Sequence, residues 1–80
     1  MTDLKFCLLK EMYHATYAHP VHKTDLLKLP ISTISERAVA ISDLEHMGYC
    51  KCEIGGDIVH TQPAGRMAYE EAQESRKQQT

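Results

Sequence analysis

The spacing of apolar residues predicts four helices along this chain. The first helix begins at a capping residue, Asp3, and runs to about Tyr17. A short second helix covers residues 25–29, a third follows Thr33, and a fourth begins at about Gln62. Their apolar stripes are expected to meet in one core, which the sequence assigns to Leu8, Met12, Leu26, Ile34, Ile41, Leu44 and Val59.

The third helix has a marked start and end. Thr33 and Glu36 stand three residues apart, which is the spacing of a capping box that satisfies the first backbone N–H groups. Gly48 stands where a left-handed residue often ends a helix. The apolar face of this helix is predicted to contain Ile34, Ala38, Ile41 and Leu44. The fourth helix is predicted to pack through Ala64, Met67, Ala68 and Ala72.

Residues 50–59 alternate in polarity around Gly55-Gly56, which predicts a β-hairpin with a two-residue turn. Such a turn sets two cross-strand pairs, Cys52 with Val59 and Ile54 with Asp57. The inward face then carries Cys50, Cys52 and Val59, and the outward face carries Lys51, Glu53, Ile58 and His60. Residues 21–22 are a candidate third strand.

Two motifs resemble those of a known superfamily. The segment Ile41-x-x-Leu44-Glu45-x-x-Gly48-Tyr49 is similar to the L-x-x-L-E-x-x-G-Y/L signature that ends the recognition helix of winged-helix regulators, which the MarR-like, PadR-like and small YjcQ-like proteins share. After the hairpin, residues 62–66 resemble the T-P-x-G-R segment of their last helix, with Gln62 in place of threonine. The resemblance spans about residues 4–72. It implies a mainly helical α+β winged helix-turn-helix, with a three-helix core, a two-stranded wing and a C-terminal helix.

The same resemblance implies that the chain is a sequence-specific, DNA-binding transcriptional regulator that often acts as a dimer. The third helix, from Thr33, would enter the major groove beside the wing. Arg37 is the one long basic side chain on that helix and is the candidate for reading bases, whereas Lys51 on the wing is the candidate for a phosphate contact. The predicted DNA-binding residues are Lys23, Lys28, Ser32, Thr33, Ser35, Glu36, Arg37, Val39 and Lys51.

The charge of the chain favours a second interpretation. Its formal net charge is -2 and its pI is near 6.2, whereas nucleic-acid-binding domains usually carry a basic excess. The alternative is a winged-helix module that contacts proteins and does not bind DNA. A continuous positive strip over Lys23, Lys28, Arg37 and Lys51 would favour DNA as the partner.

Aromatic residues widen the apolar arc of the first helix. Phe6, Tyr13 and Tyr17 fall beyond its main stripe, and Tyr69 lies near the edge of the fourth helix. One interpretation is that these rings pack under a loop or under the last helix. The other is that they form the interface of a homodimer, because aromatic surface is unfavourable in a contiguous exposed patch.

Composition and length limit the remaining possibilities. Eighty residues make one small domain, 1–80, with a polar tail from about residue 73. A content of 42% hydrophobic and 25% charged residues is typical of a globular protein and excludes a disordered chain. The odd count of three cysteines, the absence of a signal-peptide pattern and the lack of any apolar run of about 20 residues predict a cytoplasmic protein with no membrane span.

Cysteine and histidine residues are the candidates for metal binding and catalysis. Cys50 and Cys52, with His46 and His60 nearby in sequence, have zinc-ligand chemistry, but two cysteines on one strand are more often small buried hydrophobes. Cys7 lies two helical turns from His14, too far for a nucleophile and its base, and the chain has no glycine-rich phosphate loop. We therefore expect no metal, no cofactor and no enzymatic activity.

Overall fold

The chain forms a mainly helical α+β fold around a small antiparallel sheet, as the sequence predicts at this level. A computed structural model of the protein describes residues 1–78. The strands lie in the order β1-β3-β2. Along the chain the elements are α1 (Asp3–His14), β1 (Val21–His22), α2 (Lys23–Leu27), α3 (Ile34–His46), β2 (Cys50–Cys52), β3 (Ile58–Thr61) and α4 (Pro63–Gln78).

The first helix is capped one residue earlier, and ends earlier, than the sequence predicts. Thr2 is its N-cap, and the Thr2 Oγ1 accepts a hydrogen bond from the backbone N–H of Lys5 at 3.2 Å. Asp3 lies in the first turn. The helix ends at His14 because the following residues leave it for a tight turn, in which Thr16 and His19 exchange backbone hydrogen bonds of 3.1 Å.

The second helix lies slightly earlier in the chain than the predicted range of 25–29. It covers only Lys23–Leu27 and follows directly on β1. Its N-cap, His22, makes no side-chain capping bond. The start of the helix is held instead by Asp57 from the hairpin, whose carbonyl accepts from the Lys23 N–H at 2.7 Å.

The sheet has the predicted third strand and the predicted main register. Val21 pairs with Val59, and Cys52 pairs with Val59 from the other side. As predicted, Cys50 and Val59 are buried while Lys51 and His60 are exposed. This alternation places one face of the hairpin on the helices.

The predicted two-residue turn at Gly55-Gly56 is wrong. The Gly56 N–H bonds to the Glu53 carbonyl at 3.2 Å, so the turn lies one residue earlier, with Gly55 at a φ of +74° in its third position. The Glu53 N–H then bonds to the Ile58 carbonyl, which leaves Ile54 unpaired with Asp57. The physical reason is that Asp57 is bonded to the start of α2.

Most of the predicted core is confirmed. Leu8, Met12, Leu26, Ile41, Leu44 and Val59 are all buried, together with Leu9, Ala40, Cys50 and Tyr69. Ile34 is the exception, since 61% of its surface is exposed. The buried face of α3 is formed by Arg37, Ala40, Ile41 and Leu44, so the helix is rotated relative to the prediction and Ala38 is exposed.

The fourth helix is also rotated relative to the prediction. Its packed face carries Gly65, Tyr69, Ala72 and Arg76, while Met67 is 62% exposed and Ala64 lies in solvent. Gly65 sets this rotation, because a Cβ atom there would lie 2.1 Å from the carbonyl oxygen of Tyr49. The segment predicted as a polar tail continues the helix, and Arg76 donates to Asp3 at 2.7 Å.

Two isoleucines of α3 provide a matched test of its rotation. We expect Ile41→Ala to lower the free energy of unfolding by about 2–5 kcal/mol, because it removes buried methyl groups and leaves a cavity. Ile34→Ala deletes the same atoms from an exposed position and should change the free energy of unfolding by less than about 0.5 kcal/mol. Urea denaturation measures both. Equal losses in the two variants would contradict the observed rotation.

Candidate nucleic-acid interface

The start of α3 is closed by reciprocal contacts between two predicted DNA-binding residues. The Thr33 Oγ1 accepts from the Glu36 N–H at 3.1 Å, which caps the helix. The Thr33 hydroxyl also donates to the Glu36 Oε1 at 3.0 Å. Both residues therefore have a structural role at the helix start, and the predicted capping spacing is confirmed.

Arg37 has a different role from the base reading predicted for it. Its side chain is buried, with 9% of its surface exposed, and it faces the turn between α2 and α3. Nε donates to the Leu27 carbonyl at 2.8 Å, and Nη1 donates to the carbonyls of Ile31 and Ser32 at 2.7 Å each. Leu27 ends α2, where carbonyls lack helical partners and the helix dipole is negative. Arg37 therefore joins the two helices, and the expected positive strip loses its central member.

The sequence contains two signals for this role of Arg37. Arg37, Ala40, Ile41 and Leu44 lie at helical i, i+3, i+4 and i+7 spacing, with a charged residue at the first position. The hydrophobicity of Ile34 favours the neighbouring face, so the pattern alone predicts the other rotation. The short turn from residue 28 to residue 33 is the second signal, since its carbonyls need donors from outside the turn.

The outward face of α3 is small and uncharged. At 100° per residue, Ser35, Val39, Ser42 and His46 lie opposite the buried face. Val39 is 61% exposed, and the His46 Nδ1 lies 2.8 Å from the Ser42 carbonyl. Glu36 and Asp43 flank this face, and Asp43 is paired with Lys5 of α1 at 3.5 Å. The serines and Val39 therefore reach solvent with their own acidic neighbours already engaged.

The predicted lysine contacts lie on the surface. Lys23 begins α2, Lys28 follows its last turn, and Lys51 stands opposite His60 on the outward face of the hairpin. Ser32 is exposed as well and adopts a φ of +62°, which is uncommon for a residue with a side chain. Its carbonyl points to Arg37, so the same guanidinium supports this left-handed turn.

The hairpin is bonded to both neighbouring helices. The Asp57 carboxylate accepts from the Thr24 N–H at 3.2 Å and from the Thr24 hydroxyl at 2.5 Å, and His22 Nδ1 lies 3.7 Å away. On the other strand, the Cys52 N–H donates to the Glu45 Oε2 at 2.8 Å. This backbone hydrogen bond is the main cause that lowers the pKa of Glu45. The hairpin and the two helices are thus fixed relative to one another.

Three of the four residues predicted for a dimer interface contact each other within one chain. Tyr69 is buried between the rings of Phe6 and Tyr13, at centroid distances of 5.1 Å and 4.7 Å. Arg76 lies 4.0 Å over the Phe6 ring, and a second guanidinium, from α4, covers Tyr13. These contacts match the interpretation in which the rings pack under the last helix. Tyr17 differs, since its side chain is fully exposed.

Burial raises the pKa of both cysteines of β2. Burial raises the pKa of Cys50 to about 12, and burial is also the largest cause that raises the pKa of Cys52. Within residues 1–78, no three His, Cys, Asp or Glu side chains are grouped so that they could hold a metal ion. Cys50 and Cys52 pack as part of, and against, the core.

Comparison with protein families, with curated proteins and with solved structures finds no match for this chain. Over the part of the chain that the structure describes, no helix combines the length and the apolar character that crossing a membrane requires. The architecture and contacts of the chain itself are therefore the basis of any functional assignment.

Removing Arg37 should destabilise the fold rather than only alter a surface. We expect Arg37→Ala to lower the free energy of unfolding by about 3 kcal/mol, because three carbonyls lose a charged donor. The free energy of unfolding of Arg37→Lys should lie between those of the wild type and Arg37→Ala, since an ammonium lacks the planar fork of donors. Lys28→Ala, an exposed cation beside the same turn, is the control and should change stability by less than about 0.5 kcal/mol. Wild-type stability in Arg37→Ala would disprove the structural role.

The contact between Glu45 and Cys52 should give stability a pH dependence. Because the pKa of Glu45 in the folded chain lies below its ordinary value of 4.5, ionised Glu45 stabilises the fold above pH 4.5. That contribution is lost as the pH falls through the lowered pKa. We expect Glu45→Gln to be less stable at neutral pH and to lose less stability on acidification, as measured by urea denaturation. Glu74→Gln is the control, because Glu74 is exposed. If the stability of Glu45→Gln changed with pH in parallel with that of the wild type, the stabilising role of ionised Glu45 would be refuted.

Proposed function

We propose that this chain is a winged helix-turn-helix domain that binds double-stranded DNA as a sequence-specific transcriptional regulator. The observation that supports this most is the order and bonding of the elements around α3. A short helix, a tight turn and α3 form one unit, and the β2–β3 hairpin is bonded to both helices. The outward face of α3 is left in solvent beside that hairpin, the arrangement in which a helix enters a major groove.

The side chains on this face suit close approach to base edges. Ser35 and Ser42 can donate to or accept from any base edge, and Val39 can contact the methyl group of thymine. Because these side chains are short, α3 must sit deep in the groove to use them. Arg37 favours such an approach indirectly, since it fixes α3 against α2 without occupying the outward face.

Phosphate contacts are assigned to lysines outside α3. Lys28, Lys51 and Lys23 are exposed on the two elements that flank the helix. Three phosphate contacts correspond to a slope of about -3 in a plot of log affinity against log salt. The acidic residues nearby oppose binding, although Glu36 is engaged by Thr33 and Asp43 by Lys5. We therefore expect a modest affinity for DNA that depends strongly on the salt concentration.

A second candidate function, a protein-interaction module, is favoured by one specific feature. Val39 lines a shallow groove between α1 and α3 together with Leu4 and Ala40, and Glu36 and the paired Lys5 and Asp43 stand at its edge. An apolar groove with charges of both signs at its rim suits an amphipathic helix. The same surface cannot hold such a helix and a DNA groove at once, so the two functions are separable by experiment.

Titration of short labelled duplexes tests the proposed function. We expect binding of a random-sequence pool at about 50 mM salt and a large loss of affinity at about 200 mM. Lys51→Ala should weaken all sequences alike and reduce the salt slope by about one, because a phosphate contact carries no sequence information. Lys77→Ala, which removes the same charge from an exposed position on α4, is the matched control and should bind like the wild type.

Sequence discrimination is measured on duplexes selected from the same pool. Ser35→Ala should lower the preference for the selected site by about 1–3 kcal/mol and leave non-specific binding unchanged. Sedimentation of the complex gives the number of chains on each duplex. If the wild type binds no DNA even at the lower salt, the DNA function is wrong. Capture of a helical peptide that Val39→Asp abolishes would then support the second candidate.

A further inference from the structure

The tip of the β2–β3 hairpin presents a single apolar side chain to solvent. Ile54 is 99% exposed, which is the most complete exposure of any large aliphatic residue within residues 1–78. A single exposed isoleucine is common on protein surfaces and does not by itself indicate a site. What distinguishes Ile54 is how the neighbouring residues hold it.

The turn around Ile54 is narrow and closed. Its backbone is fixed by the bond from the Gly56 N–H to the Glu53 carbonyl and by the bond from the Glu53 N–H to the Ile58 carbonyl at 3.0 Å. Gly55 and Gly56 follow it and add no side chains to either side of the tip. An isoleucine beside two glycines gives a tip that suits the minor groove of B-DNA, which is about 6 Å wide.

The strand that follows the tip is also bonded to the helix-turn-helix unit. Asp57, three residues after Ile54, bonds through its carbonyl to the Lys23 N–H and through its carboxylate to Thr24. Pairing of β3 with β1 fixes the same strand on its other edge. The hairpin is therefore anchored three residues from Ile54 when α3 occupies a major groove, which reduces the entropy lost on insertion.

The two carboxylates near the tip each have a partner, although both side chains are about half exposed, at 51% for Glu53 and 46% for Asp57. A Cβ atom at Gly56 would meet the Glu53 side chain at 3.3 Å, and the Glu53 Oε2 lies 3.7 Å from His60 Nε2. The Asp57 carboxylate is engaged by Thr24. Ile54, at 99%, is thus more exposed than either of the two partnered carboxylates that adjoin it in sequence.

From these contacts we infer that Ile54 is a wedge that enters the minor groove and partly separates one base step. This inference rests on the proposed DNA binding and adds a mechanism of selectivity to it. Aliphatic wedges at minor-groove sites unstack a step and kink the duplex. Pyrimidine–purine steps such as TA unstack most easily, whereas A-tracts are stiff. The hairpin therefore selects deformable DNA beside the site read by α3, without a hydrogen bond to a base.

The test compares two duplexes of equal length and composition. One carries a central TA step and the other an uninterrupted A-tract, and 2-aminopurine at the centre of each reports unstacking. We expect the wild type to raise the fluorescence of the TA duplex and to bind it about fivefold more tightly than the A-tract. Ile54→Ala should lose both effects while its affinity for the A-tract stays within about twofold. Ile54→Leu, which keeps an aliphatic wedge, should retain both.

Met67→Ala is the control, because Met67 is an exposed aliphatic residue on α4, away from the hairpin, and its removal should change neither signal. Unchanged thermal melting of Ile54→Ala excludes a folding defect. If the wild type binds both duplexes without unstacking, or if Ile54→Ala behaves as the wild type, the wedge is overturned while the proposed DNA function stands. An equal loss of affinity for both duplexes in Ile54→Ala also overturns the wedge. If the wild type binds neither duplex at low salt, the proposed function fails first.

Discussion

The contact of one guanidinium with three carbonyls organises the surface around α3. The chain reverses between α2 and α3 within six residues, and such a turn leaves carbonyls that no helix satisfies. Arg37 supplies donors to Leu27, Ile31 and Ser32, which lie on both sides of the turn. Charge-assisted bonds of this kind are stronger than neutral ones. The crossing of the two helices, and hence the direction in which α3 presents its outer face, depends on this contact.

Helix α2 illustrates how much the surrounding contacts contribute. Five residues are far too few for a helix to be stable alone in water. Leu26 is buried in the core, Arg37 bonds its last carbonyl, and Asp57 bonds its first N–H groups. Helix α2 is therefore stabilised by its contacts with α3 and with the hairpin. A change at any of these contacts is transmitted to the other two elements.

The elements of the fold could be predicted from the sequence more reliably than their rotations. The Thr33 cap and the register of Cys52 with Val59 follow from local patterns, because each is decided by neighbours in sequence. The rotation of α4 could not be predicted in this way. It is set by the close approach of Gly65 to the Tyr49 carbonyl, which counting apolar residues does not detect.

Some residues of the candidate interface could likewise be predicted from local sequence patterns, and others could not. The exposure of Lys51 follows from strand alternation, so its position was predictable. The burial of Arg37 does not follow from such alternation, because it depends on carbonyls of the preceding turn, five to ten residues earlier, which counting apolar residues does not detect. The prediction of the hairpin turn is wrong for a similar reason, since Asp57 accepts a hydrogen bond from Thr24, which lies 33 residues earlier in the chain. Polar contacts with groups outside the element, rather than hydrophobic spacing, decide the positions of Arg37 and Asp57.

The packing of α4 against α1 has a consequence for how the chain acquires its structure during synthesis. Tyr69 and Arg76 cover Phe6, and Arg76 bonds to Asp3 across 73 positions of sequence. The aromatic side of α1 therefore stays in contact with water until the last helix has left the ribosome. During that interval the nascent chain exposes Phe6 and Tyr13, which are covered in the finished molecule. Aggregation or capture by chaperones is thus favoured in the window before α4 emerges, and a ribosome stalled within α4 would hold the chain in that state.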